Sequence, residues 1–525
     1  MMTSRQDQTP AAIWGDTRPL ARIARNLGTR YLMIFADTII GLFMLPFNVT
    51  HLGKDAYGLW LLTASVTAYF SILDLGYGGA LVKFVAQYRA WRDAKAINQI
   101  ASTLFFLFAG VGLLSYGVAA AVAYNLPHLF AITPDQAPTG RAVLLIVAVQ
   151  IALSFPFSVF GGVINGFQRY DTNNLVAIVS AVLVAAANVG VLLSGGGLVA
   201  LVAWTTGIRI VALFVYRANA YRIFPALQVR LAHVRRARLR EVTGFSVYSL
   251  IIDWANKLNY SIDPLVIGVF LGAAPVAVWG VAQRIVWAVQ RLTNQLNGVL
   301  FPVVVDSDAG RRAEHLRAIL LQGTRLSLAT VVPITACLVM VAPPLVHAWV
   351  GADFAASAVI IQILSIAIAV RVGNATATTV LKGAGEHRFI ALTNLGMSVV
   401  NVALSIALIG PLGLLGNALG TLLPVTAAAL FLQFPAACRH TGVALNEGWR
   451  RGVWPAVWPA IPMALLLLGV RAYVPARLGA IAALSLAAAL VYLTLFIAFA
   501  VGTRDRDLYL RKVRQLIVRT APQAA

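Results

Sequence analysis

Fourteen times between residues 28 and 501 the chain enters an apolar run about as long as a bilayer is thick. A helix of ~20 apolar residues spans the hydrocarbon core. A bilayer also forbids unpaired backbone, so such runs must be helices. The runs lie near 28–50, 57–75, 101–124, 142–164, 174–194, 197–217, 244–271, 276–302, 320–342, 355–380, 389–410, 412–435, 454–473 and 479–501. Only 11% of the 525 residues are charged and 59% are hydrophobic, against about 25% charged in soluble domains. The expected fold is an all-α polytopic membrane protein. The N-terminus is polar to Arg30 and the first apolar run is of span length, so a retained helix is expected there rather than a cleaved signal.

The net charge of +22 raises the question of nucleic acid, and its distribution answers it. One set of connections carries Arg18, Arg22, Arg25 and Arg30, then Lys83 to Lys95, then Arg230 to Arg240. The same set continues with Arg311, Arg312 and Arg317, then Arg450 and Arg451, then Arg504 to Arg519. The alternate connections carry only Lys54, Arg141, Arg471 and Arg477. This is the positive-inside pattern. It places both termini in the cytoplasm and leaves nucleic acid without a role; the charge reads mostly as topological signal, with anionic lipid as an aid. The two cysteines, Cys337 and Cys438, sit in or beside apolar runs, and no disulfide or zinc framework follows.

The chain repeats itself. HLGKDAYGLW (51–60) and FLGAAPVAVW (270–279) share Leu-Gly and a Trp seven residues on. GFQR (166–169) pairs with GEHR (385–388), and Arg92 with Arg311, all at an offset of 219 residues. Six spans per unit is an even number, so the two units enter the membrane the same way round. This is a parallel repeat, a known transporter plan. The expected organisation is a cytoplasmic segment 1–27, a six-helix lobe 28–217, a basic cytoplasmic linker 218–243, a second six-helix lobe 244–437, two further helices within 438–501, and a basic tail 502–525.

Charges inside the spans carry the functional signal. Arg284 and Arg291 are seven apart in the eighth span, hence on one face, with Gln283, Gln290, Asn294 and Asn297 on or beside it. The seventh span strings Asp253, Asn256 or Lys257, Tyr260 and Asp263 at spacings of three to four, and Pro264 predicts a kink there. The second span aligns Trp60, Thr63, Thr67 and Asp74. The fourth aligns Gln150, Ser154, Gly161 and Asn165, and the tenth Arg371, Asn374 and Thr378. Asp37 lies inside the first. A charge at the bilayer centre costs ~2.5–3.5 kcal/mol. As a group these residues must therefore pair or line a hydrated cavity. Asp253 and Lys257 make either a structural pair or part of a site. Asp74 is either a gate residue or a helix cap, and Asp37 either couples an ion or bonds a neighbouring helix. Two guanidiniums in one stripe suit planar phosphate oxygens, so a large anionic ligand is expected. No nucleotide-binding GxxxxGK[ST], HExxH or CxxC spacing occurs, so no cofactor or metal is expected.

YFSILDLGYGGALVKFVAQYRAWRDAK (69–95), with Asp74, Leu75, Gly76 and Lys83, resembles the end of the second span in the polysaccharide-biosynthesis transporters. These are the O-antigen-type flippases of the multidrug/oligosaccharidyl-lipid/polysaccharide (MOP) superfamily. LGKDAYGLW (52–60) resembles that family's outer turn. LGAAPVAVWGVAQRI (271–285) resembles its second-half run, departing at Ala277 and Trp279, and Arg284 is the family-like arginine. The resemblance covers roughly residues 20–435. It implies two six-helix bundles with alternating access around a cationic cavity, in the bacterial inner membrane. It implies no catalysis, but export of an undecaprenyl pyrophosphate-linked oligosaccharide for O-antigen or exopolysaccharide, alongside other polysaccharide-assembly proteins. On that reading Arg284 and Arg291, helped by Lys257 and Arg371, hold the pyrophosphate. Tyr260, Trp287, Asn294 and Asn374 meet the sugars, and Asp37, Asp74, Asp253 and Asp263 serve H⁺ or Na⁺ coupling or gating. The alternatives are a cation-coupled multidrug antiporter of the same superfamily and a membrane glycosyltransferase or polymerase. The short outer loops weigh against the latter.

Overall fold

The computed structural model describes residues 19–74, 76–243, 262–293, 304, 307–308, 313–473 and 475–500. These form two compact units, Met1–Gly280 and Val281–Ala525. Eleven helices among the described residues are long and apolar enough to cross a membrane.

In the first unit, α1 (Pro19–Ala68) breaks at Gly53, whose φ of 77° is left-handed. Glycine alone takes that conformation cheaply, so the single helix carries the first two apolar runs as two arms. A short 3₁₀ turn, Tyr69–Asp74, leads to α2 (Tyr77–Ala90), which is not of span length. Then come α3 (Ala94–Tyr124), α4 (Gln136–Gly166), α5 (Tyr170–Leu193) and α6 (Leu198–Ile223). Leu81, Ile97, Leu104, Phe108, Val159 and Phe160 form the core where α2, α3 and α4 meet. Gly112 lets α3 approach α4 so closely that a Cβ would strike the Ala152 carbonyl, the small-residue packing that membrane helices rely on.

Residues 224–243 return along α3 and are pinned to it. Asn98 donates to Ala226 O and accepts from Gln228 N, both at 2.9 Å. Ser102 donates to Gln228 O and accepts from Arg230 N, both at 3.1 Å, and Thr103 accepts from Arg235 N at 3.0 Å. Arg238 then lies over the Tyr88 ring, donates to its hydroxyl at 2.7 Å and meets Glu241 at 2.9 Å. Tyr88 is buried and donates to Glu241 at 2.6 Å. Burial first, then the bond to Glu241, push its phenol above the ordinary tyrosine range.

The described part of the seventh run is α7 (Asp263–Phe270), and α8 (Ala273–Thr293) carries the eighth. Pro264 sits in the first turn of α7. It therefore opens a helix, as its fixed φ favours, whereas the sequence suggested a kink; residues 244–261 lie outside the described part. The turn between α7 and α8 packs within the first unit. Ala131 N donates to Gly268 O at 3.1 Å, and Gly58 leaves no room for a Cβ against the Ala273 carbonyl.

In the second unit the membrane-length helices are α9 (Ala313–Val350), α10 (Ser357–Gly383), α11 (His387–Leu412), α12 (Leu414–His440), α13 (Leu445–Val470) and α14 (Leu478–Phe499). Gly416 and Gly420 bring α12 against the Leu408 carbonyl and Ser405 of α11. Phe43, Phe431, Phe499 and Leu465 are 74%, 75%, 72% and 63% exposed. Apolar surface of that extent belongs against lipid.

The repeat is visible in the turns. Gly53 and Gly272 are both left-handed, at φ 77° and 85° and at the offset of 219 residues. At the other loop the geometry shifts the match by two. Gly166 and Gly383 end α4 and α10, and the left-handed residues are Gln168 and Gly385. Arg311, the counterpart of Arg92, lies outside the described residues.

Candidate functional site

α8 separates its two faces. Val281, Ala282, Ile285, Val286 and Val289 are buried. Gln283, Arg284, Trp287 and Gln290 are half-buried and Arg291 is exposed. Positions 284, 287 and 291 recur at three and four, so Arg284, Trp287 and Arg291 share one accessible face. α8 is not among the eleven strongly apolar helices, in keeping with this polar stripe. Asn294, the next candidate on the face, lies outside the described residues, as do Lys257, Tyr260 and Asp253.

On α10 the accessible stripe differs from the one expected. Arg371, Ala375 and Thr378 are half-buried. Asn374 turns inward at 8% exposure and donates to Gln433, which in turn donates to Asn394 at 3.1 Å. Spacing of four and seven, rather than three and seven, defines the open face here. Asn374 thus joins a buried amide network that ties α10, α12 and α11 together.

In the first unit, Asp37 of α1 lies within electrostatic reach of Arg209 of α6. Arg209 stands near the middle of a membrane-length helix and is absent from the sequence reading. Asp263 is buried at 5% exposure, within electrostatic reach of Tyr69, another residue the sequence did not single out. Asp74 accepts the Gly78 N–H at 3.2 Å in the first turn of α2, a capping contact. In the second span, Thr63 and Thr67 are buried and bond back to carbonyls of their own helix. In the fourth, Asn165 accepts from Asn173 of α5 at 2.9 Å. Thr63, Thr67 and Asn165 thus have their polar groups satisfied within the helices.

The basic end of the first unit is latched. Asp171, at the start of α5, takes Arg25 at 3.0 Å and Arg169 at 3.1 Å. Asn26 donates to Gln168 O and accepts from Asp171 N, both at 3.0 Å. Among the described residues no cluster of three or more His, Cys, Asp or Glu could hold a metal ion.

Residues 52–359 match the family described as polysaccharide biosynthesis protein. The chain is 21% identical over 420 residues to the probable flippase AglR of Haloferax volcanii, covering 78% of this chain and 83% of that protein. Its fold is similar to that of a lipid II flippase MurJ in an inward closed conformation, with a TM-score of 0.70 at 13% identity. That likeness covers 93% of this chain and all of the MurJ chain. An inward-facing multidrug resistance MATE family transporter of the MOP superfamily gives a TM-score of 0.61 at 16% identity, covering 77% of this chain and 94% of the other. The architecture is therefore that of a MOP-type polytopic membrane protein.

Proposed function

This chain belongs to the polysaccharide biosynthesis protein family, and on that premise we propose that it flips an undecaprenyl pyrophosphate-linked oligosaccharide across the bacterial inner membrane. The observation that carries this reading is the polar stripe of α8. Arg284 and Arg291 lie on its accessible face while its valines and isoleucine are buried. Two guanidiniums there offer bidentate hydrogen bonds to pyrophosphate oxygens and offset the cost of carrying that charge through a low-dielectric layer. Arg371, Lys257 and Asn294 extend the anion site, and Trp287 and Tyr260 stack on sugars. Asp37, Asp253 and Asp263 serve H⁺ or Na⁺ coupling or gating. Asp74 acts through the turn it caps, and Asn374 acts through the fold rather than by touching sugar. The lobes 28–217 and 244–437 alternate in access, both termini are cytoplasmic, and no bond is made or broken.

A cation-coupled drug antiporter is the second reading, favoured by Asp37 and by the likeness to a MATE transporter. A lone membrane acid would suit it. Here Asp37 has Arg209 within electrostatic reach, which offsets its charge. The test is reconstitution in liposomes with a fluorescent undecaprenyl-pyrophosphate-oligosaccharide, scored by leaflet accessibility. Translocation by the wild type that falls about a hundredfold in Arg284→Ala/Arg291→Ala, the loss expected for two charge-assisted contacts, supports the proposal. Wild type that fails under H⁺, Na⁺ and potential gradients, yet extrudes cationic drugs, replaces it with the antiporter.

A further inference from the structure

The second unit contains a cleft of about 390 Å³ at the Arg-rich ends of α9 and α13, and neither Arg284 nor Arg291 lines it. Its polar wall is Arg317, Gln322 and Arg325 from α9 and Arg450 and Arg451 from α13, with Glu314 as the one acid. Leu321 and Pro455 supply apolar wall. In sequence Arg317, Arg450 and Arg451 read as topological signal and Arg325 drew no notice; the fold gathers all four.

Two features build the cleft. Gly452 seats α13 on α9, where an added Cβ would touch Leu321 and Thr324 at 3.7–3.8 Å. Residues Gly448–Val453 form a π-helical turn ahead of Pro455. A proline cannot donate to the carbonyl four residues back, here that of Arg451, and a widened turn accommodates the loss. π turns of this kind recur at functional sites. Glu447 holds the walls in place, accepting from Arg317 Nη2 at 2.7 and 2.8 Å and from Arg451 Nη1 at 2.8 Å. Even with Glu447 added, the arginines outnumber the acids.

We propose that this cleft binds the phosphate head group of an anionic glycerophospholipid, which bridges α9 and α13. Three observations favour a lipid over a soluble anion. Arg325 lies two turns deeper than Arg317, roughly 12 Å along the helix, amid Leu320, Leu321 and Leu326, so the basic wall runs from the polar end into the apolar run. Trp449 and Trp454, flanking the arginines, are 39% and 55% exposed, the amphipathic anchors typical of a membrane interface. Leu321 and Pro455 give the glycerol and upper acyl carbons an apolar bed. Arg450 lines the cleft, is exposed and makes no ion pair among the described residues.

The experiment uses full-length protein in neutral detergent, titrated with phosphatidylglycerol, with phosphatidylcholine, or with inorganic phosphate. Retained lipid is counted by native mass spectrometry and the thermal midpoint is followed. Phosphatidylglycerol is expected to be retained and to raise the midpoint, with retention falling as salt rises. Arg450→Gln should weaken it about fivefold and Arg450→Gln/Arg451→Gln about thirtyfold, at about 1 kcal/mol per arginine. Arg230→Gln/Arg236→Gln, in the other basic segment, should leave it unchanged. Equal retention of phosphatidylcholine by the wild type overturns the proposal without any variant. So does an equal rise with inorganic phosphate, which would make the cleft a small-anion site. Undiminished phosphatidylglycerol binding by a folded double variant overturns it as well.

Discussion

One nitrogen of Arg317, Nη2, sits 2.7 and 2.8 Å from the two carboxylate oxygens of Glu447, joining the start of α9 to the start of α13 across 130 residues of chain. Arg451 approaches the same carboxylate from its own helix at 2.8 Å. The acid is thus the common partner of two cations. Glu447→Gln should lower the thermal midpoint more than Arg317→Gln does, because it leaves two guanidiniums facing each other. The double variant should melt above Glu447→Gln alone. Melting curves of the three proteins in one detergent check the order; a double variant below both singles would show that the pair is not coupled in this way.

Asp37 and Arg209 should behave as a unit. Removing either charge strands the other near mid-membrane, at ~2.5–3.5 kcal/mol on insertion scales. Asp37→Asn and Arg209→Gln should each reduce folded yield, and the combination should recover part of it. Fluorescence size-exclusion of the solubilised variants reads this. Equal loss in the singles and a fully additive double would leave the two residues independent.

Gly58 has the Ala273 carbonyl against it, with no space for a methyl group. Gly58→Val should therefore unseat the start of α8, at the ~1–3 kcal/mol typical of overpacking or more. Gly110→Ala is the control, since Gly110 meets nothing within 4 Å and a helical Ala is worth ~0.5–1 kcal/mol over Gly. The midpoints should move in opposite directions.

The Tyr88 cluster predicts a pH response. Its phenol is held neutral by burial and by Glu241, so its folded pKa lies above the unfolded value of about 10. The stability it contributes is fully present below pH ~10 and is lost as pH rises past that value. Tyr88→Phe should lower the midpoint at neutral pH and flatten the fall above pH ~10. A variant with the same alkaline slope as the wild type would place the titrating group elsewhere.

The apolar runs made the membrane-length helices legible, and the Leu-Gly turns made the repeat legible, because both depend on local chemistry. Gly53 must be glycine where the chain turns left-handed, wherever its neighbours lie. The polar face of α8 was equally readable from the spacing of Arg284 and Arg291. Other features depend on what stands opposite. Arg209 is the lone cation within residues 198–216 of α6, and only the fold brings Asp37 of α1 to it. Asn374 fits a stripe with Arg371 by spacing, yet Gln433 draws it inward. Pro264 starts a helix because Asp263 opens one, a boundary that hydropathy alone does not mark. Tyr69 gains interest only through the acid that folds near it.

The segment after α6 holds its path through main-chain amides and carbonyls at residues 226–235, gripped by Asn98, Ser102 and Thr103. Its route is thus written on another helix. Such an arrangement separates address from content: Arg230, Arg235 and Arg236, whose side chains take no part in the grip, can be exchanged with little effect on where the segment runs, while three small polar side chains of α3 cannot. Evolution is free to retune the charge this face shows to its surroundings without redesigning how the chain travels towards its next helix.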